Sequence, residues 1–236
     1  MIRSNMNIKE KRKLDFSQTH IRYKNKSSEP VVGVTTALNI LAKPALIPWA
    51  YQRGRDGLEL YESRDKAANV GTIVHARIMA YFEGSEIDNF NIAPDIWRLT
   101  NNSLESFFEW ARPRKINAIL VEKPLVSEKY LFGGTPDFYG EMDDQTTLLD
   151  FKSGSGLYEE HFIQLAAYSK LLDENCYPHK KIIILNIPKN EGDSFQLQQT
   201  SADKLDLHFE KFLCCVKLYY LDKQIKENKK GLIGGK

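Results

Sequence analysis

The sequence predicts an α/β domain built on a mixed central sheet with helices on its faces. Three observations predict it. Residues 35–110 carry apolar positions at helical spacing, and the period drops to two between residues 117 and 152. A helical segment then leads into a continuous apolar run, Ile182-Ile183-Ile184-Leu185, of the kind a fully buried strand needs. The resulting order is helices, three strands, helix, two strands, helix, and such a sheet must be covered on both faces. The strand–helix–strand step across residues 146–187 reads as a right-handed parallel crossover.

Each element has its own signal. Residues 1–30 are polar and basic, with a loop at Lys24-Asn25-Lys26-Ser27-Ser28, and weak order is expected there. Residues 31–230 read as one domain with a helical N-terminal part, and residues 231–236 as a tail. Thr35 is placed to cap a helix running to about Ala42, broken by Pro44, and Pro48-Trp49 to open the next. Leu58 to Phe82 reads as one long or two abutting helices ending at Glu83-Gly84, and Pro94 to Trp110 is another, stopped by Pro113. Strands are predicted over Asn117–Val126, Leu131–Gly140 and Thr146–Lys152. Ser153-Gly154-Ser155-Gly156 is a flexible connection into a helix from Tyr158 to Leu172. Strands at Lys181–Ile187 and Phe195–Gln199 follow, and a helix from Ala202 to Lys230 closes the chain.

Composition sets the outer bounds. At 236 residues, 42% hydrophobic and 27% charged, the chain can bury a substantial core. The net charge of +2 is uneven: residues 1–30 carry +5 and residues 223–236 carry +4, which leaves −7 on the body. Basic ends on a mildly acidic body suit a polyanionic partner, and solvated tails give the same count. Cys176, Cys214 and Cys215 have no C-x-x-C spacing and no disulfide framework, so a reducing compartment is expected. No run is apolar enough for a signal peptide or a membrane span, and no membrane partner is expected.

The chemistry concentrates in Gly133-Gly134-Thr135-Pro136-Asp137 and Leu148-Leu149-Asp150-Phe151-Lys152. Asp143-Asp144 between them are good turn formers. If the chain folds back there, residues whose numbers sum to 287 face one another, and Asp137 meets Asp150 with Cβ atoms roughly 4.5–5.5 Å apart. Lys152 shares that face, while Leu149 and Phe151 point to the other. Asp-x-Lys alone is a weak signal, common on solvated strands. Here the apolar neighbours Leu148, Leu149 and Phe151 imply burial, and a buried charge has to be paired or metal-bound. A divalent cation with hard oxygen ligands would relieve two facing carboxylates.

Two further pieces flank the hairpin: Gly71-Thr72-Ile73-Val74-His75 and Gln164-Leu165-Ala166-Ala167-Tyr168. Taken in order, Gly-x-x-x-His, Gly-Gly-x-x-Asp, Asp-x-Lys and Gln-x-x-x-Tyr resemble the RecB-type branch of the PD-(D/E)xK nucleases, over about residues 33–190. Gly33-Val34-Thr35-Thr36 and Lys43-Pro44-Ala45-Leu46-Ile47-Pro48-Trp49 are similar to the small phage-type and mitochondrial genome maintenance exonucleases of that branch. The resemblance implies a restriction-endonuclease-like fold and a DNA exonuclease acting on single-stranded ends. It implies His75, Asp137, Asp150 and the carbonyl of Phe151 as ligands of Mg²⁺ or Mn²⁺, with Lys152 acting on the attacking water and the phosphate. Gln164 and Tyr168 would hold Lys152 and the nucleic-acid backbone, and Glu122 would stand behind the ligands or meet a metal-bound water. Branch members with an iron–sulfur cluster use four cysteines, one more than this chain has, so no cluster is expected.

Alternatives remain open at this level: an endonuclease on the same site, or a DNA-binding protein without catalysis. A cytoplasmic setting, bacterial or phage-encoded, and a recombination or replication protein as partner are the accompanying expectations. His20, His161, His179 and His208 lack ligand spacing and are read as unrelated surface residues. No Gly-x-x-x-x-Gly-Lys-Ser/Thr loop is present to drive a helicase.

Overall fold

The computed structural model describes residues 11–12, 22–87, 92–154, 156–190 and 193–233. The elements in chain order are β1 (Lys11–Arg12), β2 (Val32–Gly33), α1 (Val34–Leu38), α2 (Leu46–Arg55), α3 (Leu60–Glu83), β3 (Glu86–Ile87), α4 (Pro94–Ala111), β4 (Ile116–Val121), β5 (Leu125–Ser127), β6 (Phe132–Gly134), β7 (Phe138–Met142), β8 (Gln145–Lys152), α5 (Glu159–Glu174), β9 (Lys181–Asn186), β10 (Gln196–Thr200), a 3₁₀ turn (Ala202–Leu205) and α6 (Asp206–Ile233). A five-stranded mixed sheet runs in the order β10-β9-β8-β7-β4, with only β8 and β9 parallel. A small second sheet has the order β2-β6-β5, and β1 pairs with β3.

Alternation along β8 and β9 divides the core. Leu148, Ile182 and Ile184 face α5 and α6, where they meet Leu165, Ala166 and Phe212. Leu149, Phe151, Ile183 and Leu185 face α3 and α4, against Val74, Ile78, Phe107 and Trp110. This is the expected mixed sheet flanked by helices. Every residue from Leu148 to Phe151 is buried, as a central strand requires. Among the described residues no helix is long and apolar enough to cross a membrane.

The β7–β8 register follows the predicted sum of 287, from Met142 opposite Gln145 to Phe138 opposite Leu149. Asp143 and Asp144 both take positive φ, 49° and 62°, which is the two-residue hairpin geometry that matches strand twist. Boundaries elsewhere differ from expectation. The segment 117–126 is two strands in two sheets, because Glu122 turns the chain at φ 45° just before Pro124. The segment 131–140 divides likewise at Thr135-Pro136-Asp137, where the chain leaves the small sheet for the central one. Thr35 is no cap: Gly33 precedes α1, which is only five residues long. The next helix opens at Leu46, two residues before Pro48.

The expected weak order of residues 1–30 falls largely outside the described residues. Where described, residues 22–30 form a turn tied to the small sheet. Tyr23 lies where a side chain on Gly133 would be, and its hydroxyl hydrogen-bonds the Thr135 hydroxyl at 2.8 Å.

Candidate active site

The open end of the β7–β8 hairpin is where the motifs meet. Asp137 sits in the crossing between the two sheets, one residue before β7, and Asp150 lies within β8. Asp137 Oδ2 accepts a 2.8 Å hydrogen bond from the Phe151 backbone N–H, which fixes the carboxylate against β8. His75 Nδ1, from α3, stands 3.7 Å from the same oxygen. The Glu122 backbone N–H donates to the Asp137 carbonyl at 3.1 Å, so Glu122 is the neighbour of Asp137 on the far side from Asp150.

Lys152 lies beyond Asp150 on the same face. Its ammonium is 2.5 Å from Asp150 Oδ2 and donates to Gln164 Oε1 at 3.0 Å. Gln164 Nε2 in turn donates to the Tyr168 hydroxyl at 2.9 Å. Gln164 and Tyr168 are one helical turn apart on α5, which is why a single helix face supplies both. Room for this chain of contacts comes from glycine: a side chain on Gly134 would strike the Tyr168 ring at 2.8 Å. Gly71 has the same purpose on α3, where a Cβ would crowd Ser153 Oγ at 3.1 Å. Small residues thus let α3 and α5 close on the end of β8.

Electrostatics follow from burial. The Asp150 side chain is 1% exposed and that of Asp137 15%. Both oxygens of Asp150 are buried without a hydrogen bond, leaving the Lys152 ammonium as its charge partner. Burial pushes the Asp137 carboxyl up from 3.8 to about 6, opposed by His75 and reinforced by the Asp150 charge. Desolvation, with Asp150 and Asp137 nearby, also raises the Tyr168 phenol well above its ordinary range, so it stays protonated as a hydrogen-bonding group.

Two buried carboxylates, one without a hydrogen bond and the other beside an imidazole nitrogen, are a donor set that fits a hard or borderline divalent ion. Among the described residues no three His, Cys, Asp or Glu side chains converge tightly enough to enclose one. In this arrangement the Asp150 carboxylate meets the Lys152 ammonium and the Asp137 carboxylate faces the His75 imidazole.

Three residues escaped the sequence reading. His161 is not an unrelated surface residue: it lies one turn before Gln164 on the same side of α5, close enough to feel the Lys152 and Asp150 charges. Burial lowers its imidazole to about 4, and its Nδ1 accepts the Tyr158 backbone N–H at 3.1 Å. His179 is also no surface residue; its side chain is 1% exposed and hydrogen-bonds the Ser169 hydroxyl. Asn186, opposite Lys152 in the parallel ladder, accepts the Gly154 N–H at 3.1 Å and pins the loop after the strand. The spacing of His161, Gln164 and Tyr168 along one helix was the available signal for the first. Nothing local marked the other two. His208 bridges to Glu159 at 3.1 Å, and His20 lies outside the described residues.

No protein-family model and no curated protein sequence matches the chain. Among solved structures, a candidate exonuclease from Eubacterium rectale matches at a TM-score of 0.45 and 11% identity, covering 68% of each chain. The alkaline exonuclease of Laribacter hongkongensis matches at 0.38 and 12% identity, over 68% of this chain and 84% of that one. The same enzyme in complex with dAMP matches at 0.37 and 12% identity, over 72% and 91%.

Proposed function

We propose that the chain is a divalent-metal-dependent DNA nuclease that hydrolyses phosphodiester bonds from single-stranded ends, with residues 31–230 as one catalytic domain. One observation carries this reading: two carboxylates meet at the buried open end of a hairpin, with an ammonium held against one of them by a dedicated helix. Burial of this kind is costly without a purpose, because like charges facing each other weaken a hairpin.

Asp137, Asp150, His75 and the Phe151 carbonyl would hold Mg²⁺ or Mn²⁺. When bound, the ion lowers the pKa of its water and stabilises the attacking and leaving oxygens. Lys152 offers its ammonium protons to a phosphate oxygen and to the attacking water. Gln164 holds that ammonium in place, and the protonated Tyr168 hydroxyl holds Gln164. Glu122, whose backbone flanks Asp137 on the outer side, would orient water at the rim. The attacking water gives its proton to solvent as its oxygen forms a bond to phosphorus, the bond to the leaving deoxyribose oxygen breaks, and that oxygen takes a proton from solvent. Lysines on the exposed end of α6, Lys223, Lys226 and Lys229, would add phosphate contacts that weaken with salt.

The test uses end-labelled linear and covalently closed circular single-stranded DNA with Mg²⁺, Mn²⁺ or EDTA. Degradation of linear strands only, abolished by EDTA, is the expected outcome. Equal cutting of circles replaces this reading with an endonuclease on the same site. Binding without cleavage under any ion overturns catalysis.

A further inference from the structure

Next to the site lies a cleft of about 610 Å³, enclosed by the segment before α2, by α2 itself, and by the starts of α3 and α5. Its walls are mostly apolar. Pro44, Leu46 and the half-buried indole of Trp49 form one side, and Tyr158, at the N-cap of α5, stands on the other. Leu46 is 53% exposed, a large apolar side chain open to whatever enters.

The charges at the rim decide between ligand types. Lys43 already pairs with Glu160 at 3.5 Å, and Arg64 with its neighbour Asp65 at 2.8 Å. Glu159 and Glu160 add carboxylates to the same lining. A phosphate entering here would meet two acids and two cations already engaged. A flat aromatic group would meet an indole and aliphatic walls, at no electrostatic cost.

Position identifies that aromatic group. Gly154 lines the cleft, and two residues of extended chain separate it from Lys152 by at most roughly 7 Å. Its N–H is tied to Asn186, the residue opposite Lys152 in the ladder, so cleft and site share one rigid wall. We propose that the cleft receives an unpaired nucleobase from the nucleotide adjoining the scissile phosphate, stacked on Trp49. The inference rests on the nuclease reading above and deepens it. A paired base is already stacked within its duplex and is not free to enter, so the cleft selects a single strand.

Binding of a ten-residue, fluorescein-labelled oligo-dT in EDTA, followed by fluorescence anisotropy, tests the cleft without any chemistry. Base stacking on an aromatic side chain accounts for about five- to a hundredfold in affinity. Trp49→Ala should raise Kd by a factor in that range, and Trp49→Phe should restore most of it. Leu46→Glu, at the exposed rim, should weaken binding independently of the indole. Cleavage of a single-stranded oligomer of abasic tetrahydrofuran residues, which has the phosphates but no aromatic group, should be affected far less than cleavage of oligo-dT in all three variants. Wild-type affinity in both Trp49→Ala and Leu46→Glu overturns the proposal. So does equal weakening of single-stranded and blunt duplex DNA. A wild-type protein that binds oligo-dT through Trp49 but never cleaves would sink the nuclease reading and leave the cleft standing.

Discussion

The β7–β8 hairpin has a pair of aspartates at each end, and the two pairs behave as opposites. At the turn, Asp143 and Asp144 stand in water. Asp143 Oδ1 accepts the Lys115 N–H, and the Lys115 ammonium lies 3.0 Å from Asp144 with both side chains at least 80% exposed. Solvent and salt screen that pair, so its charges are nearly independent of the fold. At the open end, Asp137 and Asp150 carry the same charges into the junction of two sheets and two helices. There each carboxylate needs a specific partner, and Asp137 holds its proton up to about 6. Identical residues on one hairpin thus become a solvated turn or a buried carboxylate pair according to what surrounds them. Burial makes the difference.

The comparison can be broken most decisively at Asp150 and Lys152. Asp150→Ala and Lys152→Ala should each lower cleavage by about 10³-fold or more, while Asp143→Ala and Asp144→Ala leave it unchanged. Circular dichroism would verify the fold in each case, and wild-type rates in either buried variant refute the assignment. Next in size is the supporting helix. Gln164→Ala and Tyr168→Phe should slow turnover by about 10–100-fold with Mn²⁺ affinity retained, because they act through Lys152. His75→Ala should do the reverse, weakening Mn²⁺ binding measured by calorimetry more than it alters folding.

A smaller effect sharpens the electrostatic half of the comparison. A carboxyl whose folded pKa is raised stabilises the fold while protonated, below about 3.8, and that contribution is lost as pH rises through about 6. Without metal, the fold should therefore lose about 1–3 kcal/mol attributable to Asp137 across that window. Asp137→Asn should remove this slope, making the metal-free protein more stable than wild type at pH 7.5 in urea titrations. A slope unchanged in Asp137→Asn would place the titration elsewhere. The smallest expected effect is at the turn: Lys115→Ala should shift Tm by no more than about 1 °C.

Much of the hairpin was legible because its determinants are local. Two residues tolerant of positive φ, flanked by alternating strands, set the register, which runs to Phe138 opposite Leu149, one residue short of Asp137 and Asp150. The ends of α3 and α4 were legible for a similar reason: Gly84 takes the left-handed conformation at φ 66°, and Pro94 opens its helix. Glu122 and Pro136 misled the reading because an apolar strand pattern continues across them. Only the existence of a second sheet makes each a point where the chain changes partners.

By itself, then, the sequence determined the mixed α/β class, the hairpin register, and the sharing of one face by Asp150 and Lys152 and of another by Gln164 and Tyr168. All of these follow from backbone periodicity and turn stereochemistry, which act over a few residues. Tertiary structure decided the rest: the contact of His75 with Asp137, the burial of Asp150 with Lys152 as its charge partner, the burial of His179, the approach of His161 and the apolar cleft at Trp49. Those depend on which surfaces lose water when distant segments pack. Desolvation is a property of the assembled fold, and no window of sequence contains it.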